Sequence, residues 1–382
     1  MKILFLLILI SLTCLDPLFA FDFEKHLKAS YEGNMGAPPQ NHSQEEDPIY
    51  WGQVPVWPKD ENRRTDDPQF SAHRGGLISY TNLFSGRTMF LIMPAVPAEH
   101  LEKGETKVRF LTNFSSVYQV HEENGYAINA DYEITEVTAV IAHQLTEKIE
   151  LEALLRSFHL QAGRADEELN DFHDFFGFPK GARGKAISDQ YSNTFSKDGK
   201  TIYETKKNRL GLGDMVFLVK LKAKDEIKNI PAVSVLLALK APTGDRSLGY
   251  TSKSWDPGLG AAMSKQLTKD IKAHLNIGVA LPGHSPDIDK LTAVYSSMTA
   301  LEYYINKWLS VVLQTNYSTS PFARYNFDGV NADSFTGGIG FHIRLPNHLQ
   351  LHIHFTDEFY NGGDTDYVFG FAIDLWSFKD KK

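Results

Sequence analysis

The feature of this 382-residue chain that most restricts its fold is an alternation of apolar and polar side chains between about Lys107 and Trp376. The stretch from Ile271 to Leu281 is the cleanest example, because apolar residues occupy every odd position and polar or small residues every even one. Successive side chains of a β-strand point to opposite faces, so such a strand has one apolar face. Runs of 10 to 15 residues exceed most soluble strands and match the ~9–11 residues that cross a bilayer. The alternation therefore predicts a transmembrane β-barrel.

Twelve such runs divide the region, with ten or fourteen as alternatives, because a sequence pattern locates strand ends only to within ~2–4 residues. The predicted strands cover residues 107–115, 126–144, 147–162, 211–224, 231–241, 256–267, 271–281, 291–305, 307–319, 334–345, 348–357 and 366–376. Short turns near Thr146, Ile227, Thr268, Asn306 and Pro346 alternate with longer connections at 116–125, 163–210, 242–255, 282–290, 320–333 and 358–365. Bacterial outer-membrane barrels show this alternation, with the short turns in the periplasm. We therefore predict an all-β, antiparallel, up-and-down barrel over residues 107–378.

The start of the chain predicts export. A single lysine, an apolar run from Ile3 to Leu12 and a small residue at Ala20 are typical of a signal peptide that is cleaved after Ala20. Cys14, the only cysteine, lies inside this peptide, so the mature chain has no disulfide. Lipid attachment at Cys14 is a less favoured alternative, because the preceding residues fit a lipobox poorly. Export combined with the barrel pattern predicts the outer membrane of a Gram-negative bacterium.

Composition excludes several other classes of protein. Outside the signal peptide, no stretch approaches the ~18 consecutive apolar residues of a spanning helix, which excludes a helical membrane protein. The formal net charge of -8 argues against a nucleic-acid partner, because phosphate binding requires a positive field. A soluble periplasmic β-protein stays open as an alternative to the barrel.

Several segments lie outside the predicted strands. Residues 21–76 are polar and without periodicity, and we expect a largely irregular periplasmic extension. Residues 77–106 are more apolar and contain Pro94 and Pro97, which predicts either a plug inside the barrel or a strand at its rim. Residues 379–382 form a charged tail.

The long outer loop, residues 163–210, contains a short amphipathic pattern. Leu169, Phe172, Phe175 and Phe176 share one helical face, and Pro179 ends the pattern. The three phenylalanines are expected either to cap the barrel rim or to fold into its mouth as a plug.

The inward faces of the predicted strands carry charges of both signs, which predicts a narrow lumen of mixed charge. The expected lumen-lining residues are Lys220, Lys222, Lys240, Lys272, Glu302, Arg344, His352, His354 and Asp374. His342, His352 and His354 on one hairpin suggest metal ligands. Polar residues are, however, what a barrel lumen contains, so we assign no metal and no cofactor. No serine-base constellation or phosphate loop is recognisable, and we do not expect an enzyme.

The leading functional hypothesis is passage of a small solute, hydrophobic solutes included. The alternative is a closed barrel with a structural or surface-interaction role in the envelope. Expected partners are outer-membrane lipid, lipopolysaccharide and the barrel-assembly machinery, with no nucleic acid, and the expected oligomeric state is a monomer.

Several sequence islands resemble an uncharacterised bacterial family of predicted outer-membrane barrels, known as a domain of unknown function. They are residues 82–114 with Pro94, Pro97, Leu101, Lys103, Gly104 and Arg109; Phe172 and His173; residues 176–179 with Arg183 downstream; and residues 240–245. The last island is also similar to barrels linked to aromatic-compound degradation. The resemblance covers about residues 77–376 and implies the barrel, but no activity comes with it.

Overall fold

The computed structural model describes residues 75–163, 190–207, 209–245, 248–286, 288, 290–346, 348–359, 365 and 367–377. The predicted signal peptide, nearly all of the periplasmic extension, the amphipathic pattern around Phe172, Phe175 and Phe176, and the charged tail lie outside the described residues. Within the described residues, no helix is both long and apolar enough to cross a membrane.

Fifteen strands and two single-turn helices make up the described structure. The strands are β1 (Thr106–Glu123), β2 (Tyr126–Gln144), β3 (Ile149–Gln161), β4 (Ser192–Lys197), β5 (Lys200–Glu204), β6 (Arg209–Leu212), β7 (Met215–Lys224), β8 (Ala232–Ala241), β9 (Asp256–Gln266), β10 (Ile271–Ala280), β11 (Val294–Tyr304), β12 (Leu309–Ser318), β13 (Ser334–Leu345), β14 (Leu349–Glu358) and β15 (Tyr367–Trp376). The helices are α1 (Ser85–Thr88) and α2 (Asp328–Asn331).

Twelve of the strands close into a barrel, which confirms the predicted fold class. The ring runs β1, β2, β3 and then β7 to β15 in chain order, with every neighbouring pair antiparallel. β15 returns to β1 over ten residue pairs, from Lys107 opposite Trp376 to Ser116 opposite Tyr367. Closure leaves the membrane-spanning part of the sheet without a free edge, which a bilayer requires because lipid cannot hydrogen-bond to the backbone.

Sequence parity decides which side chains face the lumen. On β10, Lys272, His274 and Asn276 are buried, whereas Ile277 is 45% exposed on the outer surface. The same even-in pattern holds on the other strands of the ring, except β1, where odd positions point inward. The outward positions form an apolar belt of exposed side chains: Phe217, Leu237, Leu259, Ile277, Leu301, Leu313, Ile339 and Leu375. The two faces of each strand thus match lipid outside and a polar lumen inside.

The first predicted long connection, residues 116–125, is wrong. β1 continues to Glu123, and only Asn124 and Gly125 separate it from β2. Both turn residues have positive φ, 54° and 78°, as a type I′ hairpin turn needs, and Asn-Gly is the preferred pair for that turn. The apolar alternation fades beyond Ser116 because this part of the hairpin is polar, so the periodicity stopped short of the real strand end.

The predicted long loop at 163–210 also needs correction, because its described second half contains strands. β4 pairs with β2 next to the Asn124–Gly125 turn, at the end of the barrel that carries the longer connections, which we call the outer end. β5 pairs with β4, so these strands extend the sheet beyond β3. β6 and β7 both pair with β3, and the β3–β6 register is shifted by one residue relative to the β3–β7 register. This β-bulge at Gly213 and Asp214 reverses the parity, so Leu210 and Leu212 point outward.

Candidate functional site

Residues 75–105, called the inner segment below, lie inside the ring of strands and are bound to it mainly through backbone groups. Gln314 on β12 accepts from the Ile78 amide at 2.8 Å and donates to its carbonyl at 3.1 Å. On the other side of the lumen, the Ala98 amide donates to Ser264 at 3.0 Å, and its carbonyl accepts from Ser234 at 2.7 Å. Backbone groups of the inner segment therefore supply hydrogen-bond partners to these buried polar side chains of the wall, as buried polar groups require.

Charged wall residues bind the same segment. Lys220 on β7 donates to the Glu99 carbonyl at 2.6 Å and forms an ion pair with Glu150 at 2.9 Å. Glu150 also accepts from the Leu101 amide at 2.8 Å. Lys272 forms an ion pair with the Glu99 carboxylate. These contacts explain why lysines can be buried in the lumen, since each meets a carboxylate or carbonyl.

His100 of the inner segment is neutral at physiological pH. Burial and the nearby Lys220 ammonium lower the pKa of His100 to about 4. Its Nε2 lies 2.9 Å from the Ser234 hydroxyl and its Nδ1 3.3 Å from Gln144. The imidazole therefore acts here as an uncharged hydrogen-bonding group rather than as a cation.

Glycines in the wall make room for Met93 of the inner segment. A Cβ atom added at Gly258 or Gly278 would lie 2.6 Å from Met93, and one at Gly260 3.2 Å from it. Real Cβ atoms do not approach other heavy atoms as closely as 2.6 Å. β9 and β10 thus form a notch without side chains, which we call the glycine notch, and Met93 fills it.

We expect Gly278→Leu to loosen the inner segment, because the new side chain occupies the space of Met93. Overpacking costs about 1–3 kcal/mol, so the fraction of molecules in which the inner segment has left the glycine notch should rise by about fivefold or more. A single cysteine at buried Val96 (Val96→Cys) would report this as faster reaction with a water-soluble thiol reagent, since the sequence has no other cysteine after Cys14. Val279→Leu, one residue along on the outer face, is the control, and equal labelling rates in the two backgrounds would contradict the prediction.

Lys240 forms the most deeply buried ionic network, near the outer end of the barrel. Its ammonium lies 2.6 Å from Asp214 and 3.3 Å from Asp256, and all three side chains are 0% exposed. Ser252 and the Ser254 carbonyl accept from the same ammonium at 2.8 and 3.0 Å. The network joins the bulge before β7 to the connection between β8 and β9.

A second network centres on Glu302, nearer the short-turn end. Its carboxylate accepts from Arg344 at 3.1 Å and lies 3.3 Å from His342. The Ser310 hydroxyl donates to the same oxygen at 2.5 Å, and His274 lies 3.6 Å from the other oxygen. Glu302 is therefore held in place by side chains of three other strands, β10, β12 and β13.

A third network joins β1, β14 and β15. Arg109 holds Asp374 through two nitrogens, at 2.5 and 2.6 Å, and His352 lies 3.1 Å from the same carboxylate. His354 is buried one step further along β14, and Lys222 lies near the rim, paired with Asp225 at 3.0 Å. The structure thus places all nine residues named from the sequence on the lumen side of the wall, distributed over separate networks. No group of three or more potential metal ligands occurs among the described residues.

Aromatic side chains fill the outer end of the lumen. Tyr126 of β2 and Phe195 of β4 pack at 6.0 Å between ring centroids, and Phe327 lies within 5.8 Å of both. Phe322 and Tyr325, 5.6 Å apart, complete this group, which we call the aromatic cap. Phe322 and Tyr325 are 1% and 4% exposed because the connection between β12 and β13 folds inward over the mouth.

A cavity of about 460 Å³ separates the inner segment from the wall formed by β1, β2, β3, β7 and β8. It extends to exposed residues at the short-turn end, among them Glu102, Lys224 and Asp225. Its inner end lies at Glu136 and Arg156, whose side chains are paired at 2.8 Å. The Arg156 guanidinium stacks on Phe158, 4.9 Å from the ring centroid, and Phe158 belongs to the same apolar cluster as the aromatic cap.

Sequence reasoning missed three residues on β1, β2 and β3 that shape this cavity. Arg109, Glu136 and Arg156 all occupy inward positions within the predicted strands, so parity applied to every strand would have found them. No local pattern indicated the aromatic cap, because its members come from β2, β4 and the β12–β13 connection, which are far apart in the chain.

The fold is similar to solved outer-membrane barrels. The COG4313 outer membrane channel from Pseudomonas putida F1 aligns with a TM-score of 0.50 and 15% identity, over 73% of this chain and 98% of that chain. The KdgM porin in complex with disordered oligogalacturonate gives 0.39 and 7%, over 72% and 99%. The CymD monoaromatic hydrocarbon channel gives 0.36 and 8%, over 74% and 90%. A comparison with curated proteins finds no significant match.

Membership of a family is a matter of sequence as well as fold. A family model described as "Protein of unknown function (DUF3187)" matches residues 70–373, which include the inner segment and nearly the whole barrel. Because the match covers more than half of the chain, this protein belongs to the DUF3187 family.

Proposed function

We propose that this protein is an outer-membrane channel for a small solute with a mainly apolar body. The observation that carries the proposal is the cavity beside the inner segment, which runs from the short-turn rim to the Glu136–Arg156 pair. Among the described residues, Phe158 and the apolar cluster around it lie between this cavity and the outer end of the lumen. A route of this kind needs rearrangement of side chains and connections, while the hydrogen-bonded wall can stay closed.

The aromatic cap supports an apolar rather than a fully hydrated solute. Tyr126, Phe195 and Phe327 stack on one another inside the lumen, and an apolar solute that moves these rings apart buries its surface against them favourably. The fold of the neighbour from Pseudomonas putida F1, described as an outer membrane channel, is consistent with the same role. The proposal includes export through the signal peptide, with cleavage after Ala20, and a surrounding of outer-membrane lipid and lipopolysaccharide.

Planar-bilayer conductance of the purified mature protein tests the channel. A shift in gel mobility on boiling verifies that the purified barrel is folded. Discrete openings recorded from such protein would support passage of solutes through the barrel. Silence from equally well-folded protein would overturn it and favour the closed barrel with a structural or surface-interaction role.

We expect the double variant Phe322→Ala, Phe327→Ala to spend more time open than the wild type. Both rings are about 1% or less exposed and pack on Phe195, so their removal costs about 3–5 kcal/mol each of packing in the capped state. The measurement is open probability in the same bilayers. Phe335→Ala, which removes a ring that is 38% exposed, is the matched control, and an unchanged open probability in the double variant would count against a gating role for the cap.

A further inference from the structure

The cavity has one wall whose chemistry changes in regular steps. β2 and β3 pair Ala142 with Glu152, Val140 with Leu154, and Thr138 with Arg156. All of these except Ala142 line the cavity. From the short-turn end inward, the wall therefore presents first the Glu152 carboxylate and then the apolar side chains of Val140 and Leu154. The Thr138 hydroxyl and the Arg156 guanidinium follow side by side.

Glu152 differs from the other buried carboxylates of the cavity. Glu136, Glu150 and Asp374 pair with Arg156, Lys220 and Arg109, and Glu105 accepts a bond from the Glu102 amide.

Glu152 itself is 8% exposed, yet no cation of the described residues lies within 4 Å of its carboxylate. A side-chain hydrogen bond joins Glu152 to Glu150, and the cations Lys107, Lys220 and Arg109 lie at longer range. A buried carboxylate beside another carboxylate requires a cationic partner or a proton.

The inner end of the same wall has unused hydrogen-bonding capacity. Arg156 donates through Nε to Glu136 at 2.8 Å and through Nη1 to the Thr88 carbonyl at 3.4 Å, while its buried Nη2 has no partner. The Thr138 hydroxyl beside it is also buried without a partner. Unused buried donors are costly, and a carboxylate satisfies a guanidinium and a hydroxyl together.

We propose that this cavity binds a small zwitterion with an apolar middle, its ammonium at Glu152 and its carboxylate at Arg156 and Thr138. Glu152 and Arg156 are four residue steps apart on an extended strand, a distance of ~13 Å between their backbone positions. Both side chains reach into the gap. Val140 and Leu154 face the middle of the ligand. The inference goes beyond the proposed function, because binding at this site holds whether or not the bound molecule crosses the membrane.

Isothermal titration of the purified, detergent-solubilised full mature chain with three probes tests the site. 6-Aminohexanoate carries both end groups on a linear alkyl chain, whereas hexylamine and hexanoate carry one each. We expect 6-aminohexanoate to bind at least about tenfold more tightly than either, since it alone makes the hydrogen bonds of both charged ends. Equal affinity for 6-aminohexanoate and hexylamine, or no binding of any probe, would overturn the proposal.

Variants assign the two ends of the ligand separately. Glu152→Gln should weaken 6-aminohexanoate and hexylamine by about tenfold or more, and wild-type affinity in this variant would sink the idea. Thr138→Val, which keeps the side-chain shape, should weaken 6-aminohexanoate and leave hexylamine unchanged, a difference that a purely structural defect would not produce. Glu147→Gln on the exposed β2–β3 turn is the control, and heat modifiability verifies that each variant is folded. These titrations do not depend on conductance, so silence in bilayers with binding intact would reject only the channel.

Discussion

Deletion of residues 75–105 is expected to convert the protein into a wide pore with a conductance severalfold above any opening of the full chain. The inner segment occupies the lumen from Gln314 on one side to Lys220 on the other, and a twelve-stranded wall encloses more space than its own side chains fill. Without the segment, water reaches the ionic networks and the inward leucines Leu218 and Leu236, which now pack against it. Some loss of thermal stability should accompany the gain in conductance.

Planar-bilayer recording of the deleted and full chains makes the comparison, with heat modifiability as evidence that the shortened barrel closes. Gly278→Leu should give an intermediate result, because it displaces the segment without removing it. A folded deletion variant with the same conductance as the full chain would show that the inner segment does not occlude the lumen.

Replacement of Lys240 by methionine is expected to destabilise the barrel by about 3–5 kcal/mol, the usual cost of leaving buried charges without their partner. Asp214 and Asp256 would both keep buried carboxylates, and no other ion pair links them to a cation among the described residues. Because the network joins the bulge before β7 to the β8–β9 connection, we expect the outer end of the barrel to loosen first. Denaturant unfolding in detergent, monitored by loss of the heat-modifiable form, measures the effect.

A neutral replacement of the whole network should reverse much of this loss. The triple variant Lys240→Met, Asp214→Asn, Asp256→Asn removes all three charges and is expected to be more stable than Lys240→Met alone. Lys265→Met is the control, because it breaks a partly exposed ion pair with Glu226, and about 0–1 kcal/mol is typical of surface pairs. If Lys240→Met were no worse than Lys265→Met, the buried network would not contribute as proposed.

The sequence was sufficient for the wall of the barrel because the wall obeys a local rule. Lipid outside and a polar lumen inside impose period two on each spanning strand, so Ile277 and Asn276 were assigned to opposite faces without knowledge of the fold. The rule failed where the environment changes. Beyond Ser116 the sequence of β1 no longer alternates regularly between apolar and polar residues, and the Asn124–Gly125 turn, rather than the periodicity, marks the end of the strand.

The interior depended on contacts between distant parts of the chain. Aromatic residues near strand ends of outer-membrane barrels commonly form belts at the membrane interface, yet the connection that carries Phe322 and Tyr325 folds into the lumen. The closure of the ring and the path of the inner segment decide which acids pair with Lys240 and which cation pairs with Glu302. They also decide that Glu152 forms no ion pair with a cation of the described residues. The amino-acid sequence thus determined which side of each strand faces lipid, because that preference acts on one residue at a time. Only the tertiary structure decided what fills the lumen, because each interior contact joins residues that the chain itself keeps far apart.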